Sequence, residues 1–329
     1  MNDQLSLQLR ETCLGARRVL LTGPIDPDGD SLGACLAIGR ALRILGQDGI
    51  EVAGEVPYRY GWMPGADGLV SNEDVGADYD VVIVMDGDRH RLHPRIEQAF
   101  GGAGCRAIVD HHGTTTADGY DLCLLDARAA STTVMVREIL RVWGVPLDPE
   151  LAQLLYTGLV FDTGGFRHPN TNREVFHLAA ELVDQGIDHA TISTRVLAER
   201  RPSAVRLLAR VLSSSRYLAD GAVVLASVSQ EDFGATGSDA DDLVGIVETL
   251  VYTEGVEMAC LCVERSAERV KLSLRSRTWV NVAGLASSLD PGGGGHARAA
   301  GVLLCESLDL VLGRLPEVLE ETLANSARA

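Results

Sequence analysis

Unbroken apolar runs of strand length recur through the first half of the chain, at 19–21, 81–85 and 107–109. Such runs mark strands buried on both faces. Between and after them, residues 32–45 repeat their apolar positions at helical spacing and stop at Gly46; 132–142, 149–161 and 171–185 also read as helices. This alternation predicts a mostly parallel sheet covered on both faces, with ligands bound beyond the carboxyl ends of the strands. Residues 188–216 stay helical and rich in arginine, and Pro202 opens a new helix. From residue 222 the pattern changes to strands at 222–228, 258–263 and 270–275, a helix at 241–251 and a glycine run at 292–295. The chain therefore reads as α/β, a mostly parallel N-terminal domain followed by a smaller mixed α/β domain, with the active site in the cleft between them. The expected bounds are 1–187, a helical linker at 188–218, and 219–329.

With 329 residues, 46% of them hydrophobic, the chain can bury two cores. No apolar run reaches the roughly 18–20 residues of a membrane span, and residues 1–10 lack the pattern of a signal peptide. A cytoplasmic protein without membrane partners is expected. The 7 cysteines show no Cys-x-x-Cys spacing, consistent with reduced thiols. The net charge of −17 disfavours a grip on long nucleic acid, which needs many basic contacts to phosphate. Short or mononucleotide phosphates stay open, because bound cations can supply positive charge locally. An exonuclease on single-stranded DNA would need a basic channel with stacking aromatics, against an aromatic content of 5%.

The candidate chemistry sits just past the strands. Asp110, His111 and His112 follow the run at 107–109 and offer oxygen and nitrogen ligands to a divalent ion. A metal-bound imidazole needs an orienting acceptor, so one histidine can ligate while its neighbour handles substrate or a proton. Asp28 and Asp30 lie between a strand and a helix, where they are ligands or the cap of that helix. Asp86 ends the run at 81–85, as ligand or turn former. Asp162 closes a helix beside Gly164, Gly165 and Arg167, which is placed to meet phosphate unless this is only a helix cap. Together these groups suggest a two-metal phosphoesterase. In the second half, Arg275, Ser276 and the run Gly292 to His296 (with Gly293, Gly294 and Gly295) can build an anion-binding concavity, Arg298 being a further candidate.

These segments resemble the DHH family of phosphoesterases, in particular its nanoRNases that also remove the 3′-phosphate of phosphoadenosine phosphate. The likeness is carried by 27–33, 79–86, 109–113, 130–132 and 158–167, and in the second half by 270–277 and 292–301. It implies two Mn²⁺ ions, with Mg²⁺ an alternative. Asp86 would bridge them, Asp28 would serve the first, and Asp30, His111 and Asp162 the second. His112 would contact the scissile phosphate or polarise its leaving group. Arg275, Gly294 and His296 would hold the far end of a short RNA or nucleotide phosphate. One departure weakens the first ion's site: the family's histidine ligand is replaced by Pro24. Asp26, with the parity of Pro24 along the strand, is the nearest compensating ligand. The expected activity is hydrolysis of short oligoribonucleotides, phosphoadenosine phosphate, or linear or cyclic dinucleotides. The alternative is a nucleotide-binding sensor whose turnover was lost with the first ligand. A homodimer is compatible with the sequence.

Overall fold

The structure is a computed structural model, and it describes residues 2–327. The chain divides into two compact units, 1–199 and 200–329.

In the first unit, α1 (Asp3–Gly15) precedes β1 (Val19–Thr22), α2 (Gly29–Ile44), β2 (Ile50–Ala53), β3 (Val81–Met85), α3 (Pro94–Gly102), β4 (Cys105–Asp110) and β5 (Leu122–Leu125). Then α4 (Thr132–Trp143), α5 (Pro149–Asp162), α6 (Arg173–Val183) and α7 (His189–Leu197) follow. The strands form a 5-stranded sheet in the order β2-β1-β3-β4-β5, with every pairing parallel. Val19, Leu21, Ile83, Met85 and Val109 pack into the core that holds α2, α4 and α5, while Leu20, Val82 and Val84 meet Ile96, Ala99 and Phe100 of α3. Both faces of the central strands are therefore covered, and their apolar runs have no solvated side to serve. The order reverses at β1, between β2 and β3. The ends of β1 and β3 thus open a crevice where an open parallel sheet receives ligands.

The second unit contains α8 (Pro202–Ser214), β6 (Arg216–Leu218), β7 (Val223–Val228), α9 (Gln230–Thr236), α10 (Ile246–Val251), β8 (Met258–Ser266), β9 (Arg269–Ser276), α11 (Val282–Leu289), β10 (Gly294–His296), β11 (Ala299–Leu304) and α12 (Leu308–Ser326). Its 6-stranded sheet runs β10-β11-β9-β8-β7-β6, and only β7 and β8 are parallel. The helix expected over 241–251 is broken: a 3-10 turn ends at Leu243, and Gly245 at φ 80° starts α10. The glycine run, expected as a loop, is partly strand. Gly294 to His296 pair with Ala299 to Gly301. Gly295, at φ 138°, lies so close to the facing strand that a Cβ would come within 2.8 Å of the Ala300 Cα. The stretch 188–218 is shared, α7 belonging to the first unit and α8 to the second.

A buried carboxylate fixes the segment that follows β9. Glu257 accepts from Ser276 Oγ at 3.0 Å, Thr278 Oγ1 at 2.6 Å, and the amides of Thr278 and Trp279 at 2.9 Å. Burial would raise its carboxyl, but these bonds, Thr278 foremost, bring it below the ordinary value. Glu257→Ala strands those donors and is expected to destabilise the second unit by about 3 kcal/mol. Hydrogen exchange along β8 and β9 reads this; protection equal to the parent would contradict the assignment.

Candidate active site

The loop after β1 ends at Asp28, which caps α2. Its Oδ1 accepts from the amides of Asp30 (3.0 Å) and Ser31 (3.1 Å), and Ser31 Oγ accepts from the Asp28 amide at 2.8 Å. The cap leaves Asp30 in the first turn, pointing into the unit. Asp30 is fully buried. Its Oδ1 accepts from the Thr133 amide (2.9 Å) and hydroxyl (2.7 Å), and its Oδ2 from the Thr132 amide (2.6 Å). The carboxylate therefore sits on the positive end of α4 and uses its unpaired amides. Three donors leave one lone-pair direction of the carboxylate for another partner. Gly158 of α5 makes the approach possible, since a Cβ there would reach 2.6 Å from the Thr133 side chain.

Asp86 directly follows β3 in a left-handed conformation, φ 60°, which costs a non-glycine residue on the order of 1 kcal/mol. Its amide continues the ladder to Val109 O at 3.0 Å, and its Oδ1 accepts from Thr132 Oγ1 at 2.9 Å. Both ends of this buried side chain's setting are thus held.

At the end of β4, Asp110 orients its neighbour. Asp110 Oδ1 meets His112 Nδ1 at 2.7 Å and accepts from the His112 amide at 3.2 Å, while Thr115 Oγ1 donates to Oδ2. His111 turns the other way. Its Nδ1 lies 3.3 Å from Ala129 O, a pure acceptor, so the proton belongs on Nδ1 and Nε2 faces the carboxylates. Nε2 is 3.1 Å from Asp162 Oδ2 and 3.6 Å from Asp86 Oδ1. Asp162 ends α5. Its main-chain oxygen accepts from His168 Nδ1 (2.9 Å) and Asn170 Nδ2 (3.3 Å), which pin the turn.

So many carboxylates in one place repel one another. Burial pushes Asp86 up strongly, reinforced by Asp30, Asp28, Asp162 and Asp110. Asp28 rises through burial and the charge of Asp30. Asp162 rises to about 8, from burial and Asp30, against the pull of His111. Burial works against a charged His111, yet its contact with Asp162 and the charge of Asp30 raise it to about 9. Asp110 goes the other way: burial would raise it, but the bonds from His112 and Thr115 hold it low. The excess negative charge fits a divalent cation. Ligand atoms of Asp30, His111 and Asp162 lie within 4.8 Å of one another, as do those of Asp86, His111 and His112. Asp162 Oδ2 is shielded from solvent and accepts no hydrogen bond. A mixed carboxylate and imidazole set at this spacing suits a hard to borderline divalent ion.

The structure therefore gathers Asp30, Asp86, His111, His112 and Asp162. Asp28 stands at their edge with Oδ1 engaged in the cap. Asp26 is exposed and enters neither ligand group. Arg167 is exposed, and its Nε donates back to Gly164 O at 2.5 Å. In the second unit, Arg275 Nε donates to Glu248 at 2.9 Å, Ser276 is buried against Glu257, and Gly293 donates its amide to Asp290 O at 2.9 Å. Gly294, Gly295 and His296 form β10. Sequence reasoning missed Thr133, Thr115 and Gly158. A helix opening on Ser131-Thr132-Thr133 beside buried carboxylates was the available sign of the first; a glycine inside an apolar helix was the sign of the last.

Residues 18–159 match the DHH family, N-terminal domain, and residues 220–325 match the DHHA1 domain. The chain is 34% identical over 303 residues to the bifunctional oligoribonuclease and PAP phosphatase NrnA of Thermus thermophilus, covering 92% of this chain and 89% of that one. It is 26% identical over 310 residues to the protein of the same name from Bacillus subtilis, covering 92% and 95%. A crystal structure of an exopolyphosphatase-related protein from Bacteroides fragilis superposes with TM-score 0.87 at 24% identity, over 98% of this chain and 96% of that one. That likeness concerns the fold.

Without an ion, the site ties stability to pH. The folded chain keeps the Asp162 proton to about 8 against an ordinary 3.8, and the His111 proton to about 9 against 6.5. Across those windows the folded state binds more protons than the unfolded state, so stability falls as pH rises. In chelator, the melting temperature is expected to decline from mildly acidic to mildly alkaline pH, and saturating divalent ion should remove most of that decline. A chelated chain with a flat profile would contradict the electrostatic account.

Proposed function

The chain belongs to the DHH family, and from that membership we propose that it is a metal-dependent phosphoesterase that hydrolyses short oligoribonucleotides and removes the 3′-phosphate of 3′-phosphoadenosine 5′-phosphate. The observation that carries this reading is the convergence of two triads on His111, Asp30 with Asp162 in one and Asp86 with His112 in the other, the ligand atoms of each triad lying within 4.8 Å of one another. The two relatives named above carry both activities in their names.

Asp30, Asp86, His111 and Asp162 would hold a divalent ion, Mn²⁺ in our reading, with Mg²⁺ the alternative. When bound, such an ion supplies Lewis acidity toward a phosphoryl oxygen and toward water. For the second ion of the family pattern this chain offers Asp28, already capping α2, and the exposed Asp26. His112 is the proton carrier. Asp110, its carboxyl held below the ordinary value, fixes the ring through Nδ1. Nε2 then hands its proton to the leaving oxygen. Asp86 is kept in place by Thr132 and Val109, so its carboxylate needs no reorganisation when substrate arrives.

Arg275, Ser276, Gly293, Gly294, Gly295 and His296 are assigned to nucleotide binding, with Arg167 for phosphate. The net charge of −17 supports a short substrate over a long one. Among the described residues no helix is long and apolar enough to cross a membrane.

In excess Mn²⁺, the protein is expected to release mononucleotides from a 5′-phosphorylated diadenylate and orthophosphate from 3′-phosphoadenosine 5′-phosphate. His112→Ala should lower kcat by about 10²–10⁴ with KM little changed. Absence of turnover on these substrates and on linear and cyclic dinucleotides would refute the proposal. Tight nucleotide binding in that case would point to a sensor.

A further inference from the structure

We propose that Trp279 is a stacking platform for one base of a single-stranded oligoribonucleotide, and that Arg277 and Arg298 beside it receive the phosphate of that nucleotide. This rests on the reading that the chain takes short nucleic acid, and it names residues of the second unit that would select a base-bearing chain over a simple anion.

Trp279 differs from the other two of the chain's 3 tryptophans. Trp143 is buried and donates its Nε1–H to Ser6 O at 2.8 Å. Trp62 donates to Arg59 O at 2.5 Å and carries the Arg195 guanidinium 5.2 Å from its ring centroid. Trp279 is 48% exposed, and among the described residues no guanidinium lies over its ring. A single exposed aromatic is ordinary on a protein surface. This one stands on a backbone held from beneath. The buried Glu257 carboxylate accepts from the Thr278 and Trp279 amides at 2.9 Å, and Val280 and Val282 anchor the next residues in the core of the unit. A large flat ring on a fixed base loses little freedom when a second flat ring stacks on it.

The two arginines are built into the same corner. The Arg277 amide donates to Glu257 O at 2.8 Å, and the Ser276 amide to Arg298 O at 3.0 Å. Arg298 Nη1 in turn donates to Arg277 O at 2.9 Å, and Arg277 Nη1 reaches Thr253 O at 3.5 Å. The end of β9 and residue 298 are thereby stitched together. Arg277 lies two residues from Trp279, at most about 7 Å along the chain. Elsewhere in this unit Arg201, Arg210, Arg275 and Arg314 each meet a carboxylate. Arg277 and Arg298 meet main-chain oxygens, and among the described residues neither forms an ion pair. In a chain with 46 acidic against 29 basic side chains, two guanidiniums at one corner without a carboxylate form a place for an external anion.

The combination decides which anion. Inorganic phosphate or an acidic peptide would satisfy the guanidiniums and leave the exposed ring unused. A nucleotide uses both, its base on the indole face and its phosphate on the arginines, and every base has a face to stack. One such platform suits a short oligomer, in keeping with the acidic surface, where a long strand would need a row of them.

The test reads binding without turnover. The full-length protein, in chelator, is titrated with 5′-phosphorylated triadenylate, and tryptophan emission and calorimetry are followed. Quenching of the emission is expected. Trp279→Phe should abolish most of the quenching while keeping the affinity within about twofold, and Trp279→Ala should weaken binding about fivefold or more. Arg277→Gln and Arg298→Gln should each weaken binding and flatten its dependence on salt. Circular dichroism checks that each variant is folded. An affinity that Trp279→Ala leaves unchanged would overturn the proposal, as would failure of the parent to bind the oligomer, or equal affinity for the same oligomer stripped of its bases. A dimer in sedimentation that dissociates in Trp279→Ala, with oligomer binding unaltered, would assign the face to a second copy of the chain and overturn it too. Base-dependent binding through Trp279 in a protein that never turns over would defeat the hydrolase reading alone. Full turnover with binding indifferent to Trp279 would defeat this proposal alone.

Discussion

The Asp30 carboxylate accepts the first two amides of α4 and the Thr133 hydroxyl, and it does so with no exposure to solvent. Everything else at the site is arranged relative to this contact. Through it α2 and α4 are locked N-terminus to N-terminus. Thr132, fixed by the same contact, donates to Asp86. Asp86 in turn lies beside His111, and His111 beside Asp162. A buried negative charge normally destabilises a fold. Here the partners are backbone amides that the helix must leave unpaired in any case, so the charge is solvated by groups that have no other use. The carboxylate therefore contributes to helix packing and to ligand geometry at once.

Much of this was legible in the amino-acid sequence, and for identifiable reasons. The runs at 19–21, 81–85 and 107–109 are long enough, and apolar enough, to be strands buried on both sides, and each is followed within a few residues by a group that can bind or orient. The convergence of Asp30, Asp86, His111 and Asp162 follows from placing those groups past the ends of adjacent parallel strands. What stayed hidden was of two kinds. Backbone donors leave no mark in a sequence, so the hold of α4 on Asp30 had no residue type to announce it. Small residues also blur the boundary between loop and strand. Gly294 and Gly295 have little intrinsic preference for a strand, yet they pair because Ala299 to Gly301 present a facing edge with equally little bulk. The helix expected at 241–251 fails at Gly245, where a left-handed turn interrupts a pattern that is otherwise periodic.

The two histidines illustrate how adjacent identical residues acquire different work. His111 spends its Nδ1 on a carbonyl and His112 spends its own on a carboxylate. The first ring thereby presents Nε2 to the acidic cluster. The second is held by a carboxylate against its Nδ1. The distinction depends on Ala129 and Asp110.

The left-handed backbone at Asp86 separates the interests of the fold from those of the reaction. Glycine and asparagine are the residues that relax most easily into such a conformation, and either would also dissolve the repulsion that burdens this corner. Drift toward a sturdier protein at this position thus runs through replacements that carry no charge. An aspartate there works against both its own torsion angles and the charge of its neighbours, the arrangement of a residue placed for chemistry and not for stability.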